Sequence, residues 1–269
     1  MIDLFIGDSH SCGYYFDDKA HEWEDNNYAE KFHYLNGNEE TVIYAASGCG
    51  NYKYAEWFKI ALDRHPNIGR VFLQSTYWNR FRIASSRNLD FGFGSYKIDH
   101  FTQKTDKNDK ITRYNDLKIK DNFVEMQLRP PNDVYEKFKG FRTDFKSDSY
   151  NKPMPELVDE YTYTKVWHEL QSQLQYIQFC KDLFLIDRLC VENNIDCYVW
   201  RINERCHLTD SVEMFGELKK TKILVESAEI YLDNKYDICI ADDTIDGEHY
   251  NSKTHELIAK DFLPYLLQI

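Results

Sequence analysis

Short apolar runs alternate with amphipathic stretches along much of this chain, and the early runs stop at turn-forming residues. Ile2-Asp3-Leu4-Phe5-Ile6 ends at Gly7, and Thr41-Val42-Ile43-Tyr44-Ala45-Ala46 ends at Ser47-Gly48-Cys49-Gly50-Asn51. Arg70-Val71-Phe72-Leu73-Gln74 runs into Ser75-Thr76-Tyr77-Trp78-Asn79-Arg80. Runs of this length, rich in β-branched and aromatic residues and bounded by glycine or polar residues, predict buried strands. Between the first two, the aromatic and acidic stretch from Ser11 to Tyr34 predicts a polar-faced helix and a loop closing at Asn36-Gly37-Asn38. Tyr54, Phe58 and Leu62 then recur every four residues, which predicts a helix over 52–63 that His65-Pro66-Asn67 terminates.

Regularity returns in the second half. Val166, Leu170, Leu174 and Ile177 share one helical face, continued by Phe184, Leu185 and Leu189, and predict a long helix over 161–193. Ile195-Asp196-Cys197-Tyr198-Val199-Trp200 reads as a fourth strand, 212–232 as a helical stretch and Tyr236-Asp237-Ile238-Cys239-Ile240-Ala241 as a fifth strand. A loop over 242–250 leads to a final helix, capped by Asn251 or Ser252, whose Ile258, Phe262 and Tyr265 should face the sheet. Pro264 lies too deep for a regular helix to pass it undisturbed. Strands alternating with helices predict an α/β fold, a flavodoxin-like three-layer α/β/α arrangement around a five-stranded parallel sheet, with residues 1–269 as a single domain.

The alternation breaks over 81–160. This stretch has no long periodic segment and is dense in aromatics, among them Phe91, Phe93, Tyr96 and Phe101. Between 97 and 153 it holds 13 Lys+Arg and 10 Asp+Glu, in a chain of 269 residues whose net charge is −12. It is therefore electrostatically distinct, and reads either as a cover whose rings stack on sugars or acyl chains, or as a self-packing subdomain or oligomer contact. A homo-oligomer stays open.

The acidic balance, 45 Asp+Glu against 33 Lys+Arg, argues against non-specific binding to nucleic acid or to an anionic membrane. No apolar run approaches the roughly 18–20 residues that span a bilayer, and no basic segment followed by a long apolar stretch opens the chain. The expectation is a cytoplasmic or otherwise soluble protein without a signal peptide. Seven cysteines lie scattered without CxxC spacing, several in apolar runs, which predicts reduced thiols over disulfides or a zinc site.

Two places carry chemistry. Gly7-Asp8-Ser9 follows the first strand, where a hydroxyl at the carboxyl end of a parallel sheet opens into the crevice in which α/β proteins bind ligands. In Asp242-Asp243-Thr244-Ile245-Asp246-Gly247-Glu248-His249, an Asp three residues before a His can bond one imidazole nitrogen and leave the other to take a proton from a serine. Parallel strands all end on one side, so Ser9 and His249 should meet. Each residue also has a plainer role: Ser9 as a helix N-cap, His249 as a surface or core histidine, and the adjacent His10 as a structural or substrate contact. Asp8, Asp242, Asp243 and Asp246 could instead hold a divalent cation, although Asp8 can simply bond nearby backbone amides. Gly48 to Asn51 is too short for a phosphate-cradling loop.

Gly7-Asp8-Ser9, Gly48 after the second strand, an Asn after the third and Asp246-Gly247-Glu248-His249 before the last helix resemble the four blocks of the SGNH, or GDSL-type, esterase and lipase superfamily. The resemblance implies a catalytic triad of Ser9 as nucleophile, His249 as base and then acid, and Asp246 orienting the imidazole. It implies an oxyanion hole built from the N–H groups of Ser9 and Gly48 and the amide of Asn79. The third block departs from the family's Gly-x-Asn-Asp, since it has no glycine and places Asn79 late; Ser75, Thr76 or Asn51 could take its place. Such a site hydrolyses small acyl esters through an acyl-enzyme, without a metal or other cofactor. The family's range and the polar, aromatic insertion put O-acetyl groups on a carbohydrate first among substrates. An acyltransferase with the same triad, a catalytically impaired binding protein and a metal-dependent phosphoesterase are the competing expectations.

Overall fold

The computed structural model describes residues 1–12, 27–37, 40–45, 50–76, 80–84, 101–105, 110–116, 123–127, 168–204, 217–240 and 249–269. Its centre is β1 (Ile2–Gly7), hydrogen-bonded in parallel to β2 (Glu40–Ala45) on one side and β3 (Ile68–Ser75) on the other. Beyond β3 lies β8 (Asp196–Arg201), also parallel. These strands are buried on both faces, and their side chains divide by alternation. Leu4, Ile6, Val42, Tyr44, Val71, Leu73, Cys197 and Val199 enter one core; Phe5, Ile43, Phe72, Tyr198 and Trp200 enter the other.

Helices cover both faces, as the three-layer expectation requires. The first core is closed by α3 (Tyr54–Arg64) and α4 (His168–Asn193), through Trp57, Phe58, Phe179 and Leu183. The second is closed by α2 (Tyr28–Asn36), α5 (Ala228–Tyr236) and the C-terminal helix, through Phe32, Leu232 and Phe262. Helix α2 begins where Asn27 Oδ1 accepts the N–H groups of Ala29 and Glu30, and stops at Gly37, whose φ of 62° suits a residue without Cβ. The C-terminal helix is capped by Asn251 and runs as α6 (Ser252–Leu257), a π-turn at Ile258–Phe262 and α7 (Leu263–Leu266). Leu263 N–H reaches back to Ile258 C=O, so the wide turn falls immediately before Pro264 and lets the helix continue past the ring.

The sheet differs from the expected one at both edges. Among the described residues it has six parallel strands in the order β6 (Ile111–Asp116), β2, β1, β3, β8, β9 (Thr221–Ile223), with β5 (Phe101–Thr105) antiparallel beyond β6. On one side, β5 (Phe101–Thr105) and β6 (Ile111–Asp116) come from the stretch read as an insertion, and β6 pairs in parallel with β2. That part of 81–160 is built into the sheet; 85–100 and 128–160 lie outside the described residues. A second, antiparallel ribbon joins β4 (Arg80–Ala84) to β7 (Phe123–Gln127).

On the other side, the last parallel strand is β9 (Thr221–Ile223), and not 236–241. Tyr236 ends α5, Asp237 turns left-handed at φ 53°, and Ile240 N–H closes on Asp233 Oδ1 at 2.7 Å, so 236–240 is a helix exit. The three-residue β9 is held in place by Asp187 of α4, which accepts the backbone N–H groups of Lys219, Lys220 and Thr221 at 2.7–3.1 Å. Burial works against that charge, but these hydrogen bonds together hold the Asp187 carboxyl below its ordinary range.

Cys180, Cys190 and Cys197 are buried free thiols and Cys239 is an exposed one. Among the described residues no helix is long and apolar enough to cross a membrane.

Candidate active site

The opening strand delivers its turn to the sheet's carboxyl edge, where β1 lies between β2 and β3. Ser9 follows at once, opening the one-turn helix α1 (Ser9–Cys12), and is only 3% exposed. Gly7 is needed here for close approach, since it is not among the glycines of positive φ. A Cβ at Gly7 would lie 1.9 Å from Ser11 Oγ and 3.0 Å from Gln74 Oε1.

Those two atoms belong to a buried polar network under the turn. Gln74, fully buried at the end of β3, accepts the Ser11 hydroxyl at 2.6 Å and the Tyr28 hydroxyl at 2.9 Å on Oε1. Its Nε2 donates to Asp8 Oδ1 at 2.9 Å, and its backbone carbonyl accepts the Tyr54 hydroxyl. Asp8 Oδ1 also accepts His10 N–H at 3.1 Å, while Oδ2 accepts the Thr76 hydroxyl at 2.8 Å. The Gly-Asp-Ser turn is thereby tied to the end of β3 at two points.

His249 arrives from the other end of the sequence. Tyr250, whose hydroxyl donates to Glu229 Oε2 at 2.7 Å, and the Asn251 cap fix the segment that carries it. His249 Nε2 lies 2.8 Å from Ser9 Oγ across a separation of 240 residues. In a neutral imidazole with its proton on Nδ1, that nitrogen accepts the serine hydroxyl.

Behind His249 stands a second layer of rings. His10 meets His249 at 5.1 Å between centroids, Tyr250 at 5.6 Å and His255 at 6.2 Å. His255 is fully buried, stacks on Tyr28 at 5.8 Å, and accepts the Tyr28 backbone N–H on Nδ1 at 3.2 Å. Burial, reinforced by nearby His10, pushes its pKa well below the ordinary value. His255 therefore stays neutral in the folded chain and takes up a proton on unfolding once the pH is below about 6.5. Its presence should lower stability by about 1.4 kcal/mol for each pH unit below that point, with no effect above it. Urea denaturation of wild type and His255→Asn between pH 5 and pH 8 checks this, because the variant should lack that component of the slope.

Of the residues singled out in the sequence, Ser9 and His249 are thus brought together. Asp246, Gly48 and Asn79 lie outside the described residues, as do Asp242 and Asp243. Asp8 is occupied in holding the turn and β3, and His10 packs as a ring against its neighbours. Among the described residues no group of three or more His, Cys, Asp and Glu side chains is arranged to hold a metal ion. Of the alternative oxyanion donors, Thr76 is committed: its hydroxyl goes to Asp8 and its N–H to Asn51 Oδ1 at 2.9 Å. Asn51 Nδ2 donates one hydrogen to Thr76 C=O at 2.9 Å and has a second hydrogen to give. The Ser75 hydroxyl is buried without a hydrogen-bond partner among the described residues.

Sequence reasoning missed the roles of Gln74, Tyr28 and His255. One signal was present: Gln74-Ser75-Thr76 is an abrupt polar stretch at the end of a buried apolar strand, and buried polar groups need partners. No protein-family model, curated protein or solved structure matches this chain.

Proposed function

We propose that this chain is a serine esterase that hydrolyses small acyl esters, with O-acetylated carbohydrates the first substrate class to assay. The observation that carries the proposal is the 2.8 Å contact between Ser9 Oγ and His249 Nε2 at the carboxyl edge of the sheet. In this mechanism His249 takes the Ser9 proton as Oγ attacks the ester carbonyl. The protonated imidazole then passes that proton to the departing alcohol, leaving an acyl group on Ser9. Water, deprotonated by the same nitrogen, cleaves the acyl-enzyme.

The remaining roles are those of the family resemblance. Asp246 would hold the imidazole from its far nitrogen, and the N–H groups of Ser9 and Gly48 would receive the developing oxyanion. Asn51 or Ser75 would complete that pocket if Asn79 does not. A donor there is worth roughly 10² to 10³ in rate.

A fluorophosphonate probe followed by peptide mass spectrometry tests the assignment. The expected adduct sits on Ser9, formed at a rate that a chelator leaves unchanged. Absence of the adduct from folded protein would remove Ser9 as a nucleophile. Activity abolished by chelator and indifferent to the probe would instead indicate a metal-dependent phosphoesterase.

A further inference from the structure

We infer that Gln74 and Thr76 are positioning residues for Ser9, acting through Asp8. This inference rests on the reading of Ser9 as a nucleophile. Where the family pattern would place Gly-x-Asn-Asp, this chain carries Gln74-Ser75-Thr76, and two of these side chains hold the turn that presents the serine. Gln74 Nε2 and the Thr76 hydroxyl donate to opposite oxygens of the Asp8 carboxylate, at 2.9 and 2.8 Å. Asp8 in turn accepts His10 N–H, so the carboxylate spans the two peptide units that flank Ser9.

Three further observations make this a built arrangement. Gln74 and Thr76 are both fully buried, so their donors gain strength from the low-dielectric surroundings and cannot exchange freely with water. Gln74 is itself clamped by the hydroxyls of Ser11, Tyr28 and Tyr54, which come from α1, α2 and α3. The Asp8 carboxylate accepts only, so Nε2 faces it, and Oε1 is left to the Ser11 and Tyr28 hydroxyls, which also contact each other. Asn51 pairs with the backbone of Thr76 on both its N–H and its C=O, which fixes the residue carrying the second donor. The connection from β3 to the serine is continuous: Gln74 and Thr76 hydrogen-bond to the Asp8 carboxylate, and Asp8 is joined to Ser9 by the peptide bond and to the following residue by the hydrogen bond from His10 N–H.

The test compares rates of fluorophosphonate labelling at Ser9 in wild type, Thr76→Val, Thr76→Ser and Gln74→Glu, with thermal unfolding of the same samples. Thr76→Val keeps the shape and removes the donor, so labelling should slow by about tenfold or more, while Thr76→Ser restores most of the rate. Gln74→Glu keeps the two acceptor contacts but sets a second carboxylate against Asp8. Its labelling relative to wild type should be lowest at pH 8 and climb towards pH 5, as the carboxyl pair comes to share a proton. A purely structural role would lower the unfolding temperature without this pH-dependent ratio or the serine rescue. If Gln74→Glu does not fold, the two Thr76 variants decide.

Wild-type protein that fails to label overturns the nucleophile and this inference with it. Wild-type protein that labels, with Thr76→Val and Gln74→Glu labelling equally fast at every pH, overturns the positioning role alone.

Discussion

Ser9→Ala, His249→Ala and the double variant should all hydrolyse an aryl acetate at nearly the same residual rate, roughly 10⁴- to 10⁶-fold below wild type. The equality is the sharper part of the prediction. An alanine at position 9 leaves the imidazole with no proton to take, and an alanine at position 249 leaves the hydroxyl as a weak nucleophile with a pKa far above neutrality. Either loss disables the same step, so the second substitution has nothing left to remove. Steady-state kinetics with KM measured for each variant checks this, since KM should move far less than kcat. A double variant slower than either single by a further factor of a thousand would mean that the 2.8 Å contact between the two side chains does not couple them in the reaction.

Gly7→Ala should destabilise the fold strongly for so small a change. The added Cβ would lie 1.9 Å from Ser11 Oγ, 2.8 Å from Ser11 Cβ and 3.0 Å from Gln74 Oε1. Neither neighbour can swing aside cheaply, because Ser11 is bonded to Gln74 and both are fully buried. Overpacking together with a broken buried hydrogen bond costs about 3 kcal/mol or more. For a chain of this size that lowers the unfolding temperature by roughly 6 to 12 °C. The cause can be isolated by a sign reversal. Ser11→Gly should destabilise wild type, where it removes a satisfied hydroxyl, and stabilise Gly7→Ala, where it removes the obstacle. An unfolding temperature for Gly7→Ala within about 2 °C of wild type would show that the turn has slack that the distances deny.

The parts of this fold that could be read from sequence are those whose cause is local. Strands β1, β2, β3 and β8 are buried on both faces, so their sequences are near-continuous apolar runs. Strand β9 escaped because it is three residues long, has Lys222 at its centre and depends on Asp187 some 34 positions earlier. Tyr236 to Ala241 misled for the opposite reason, since a short apolar run at a helix exit looks like a strand. Strand β6 carries Arg113 inside the sheet, a charge tolerated because Glu30 of α2 meets it from 83 residues away.

The candidate site divides the same way. Ser9 and His249 each sit in a short stretch whose residue types and place after a strand suggest chemistry, and parallel strands bring such stretches to one edge. The supports of Ser9 come from β3, α2 and α3, and no local pattern announces that Gln74 will turn its amide towards Asp8.

The 240-residue separation of Ser9 from His249 also has a consequence in time. Chains lengthen at roughly 5–20 residues per second. A copy still on the ribosome therefore carries its serine for on the order of tens of seconds before the imidazole has been made. Until the segment carrying His249 docks, the nascent chain holds the serine without its partner, so on the proposed mechanism its chemistry begins only when that segment closes against the sheet edge.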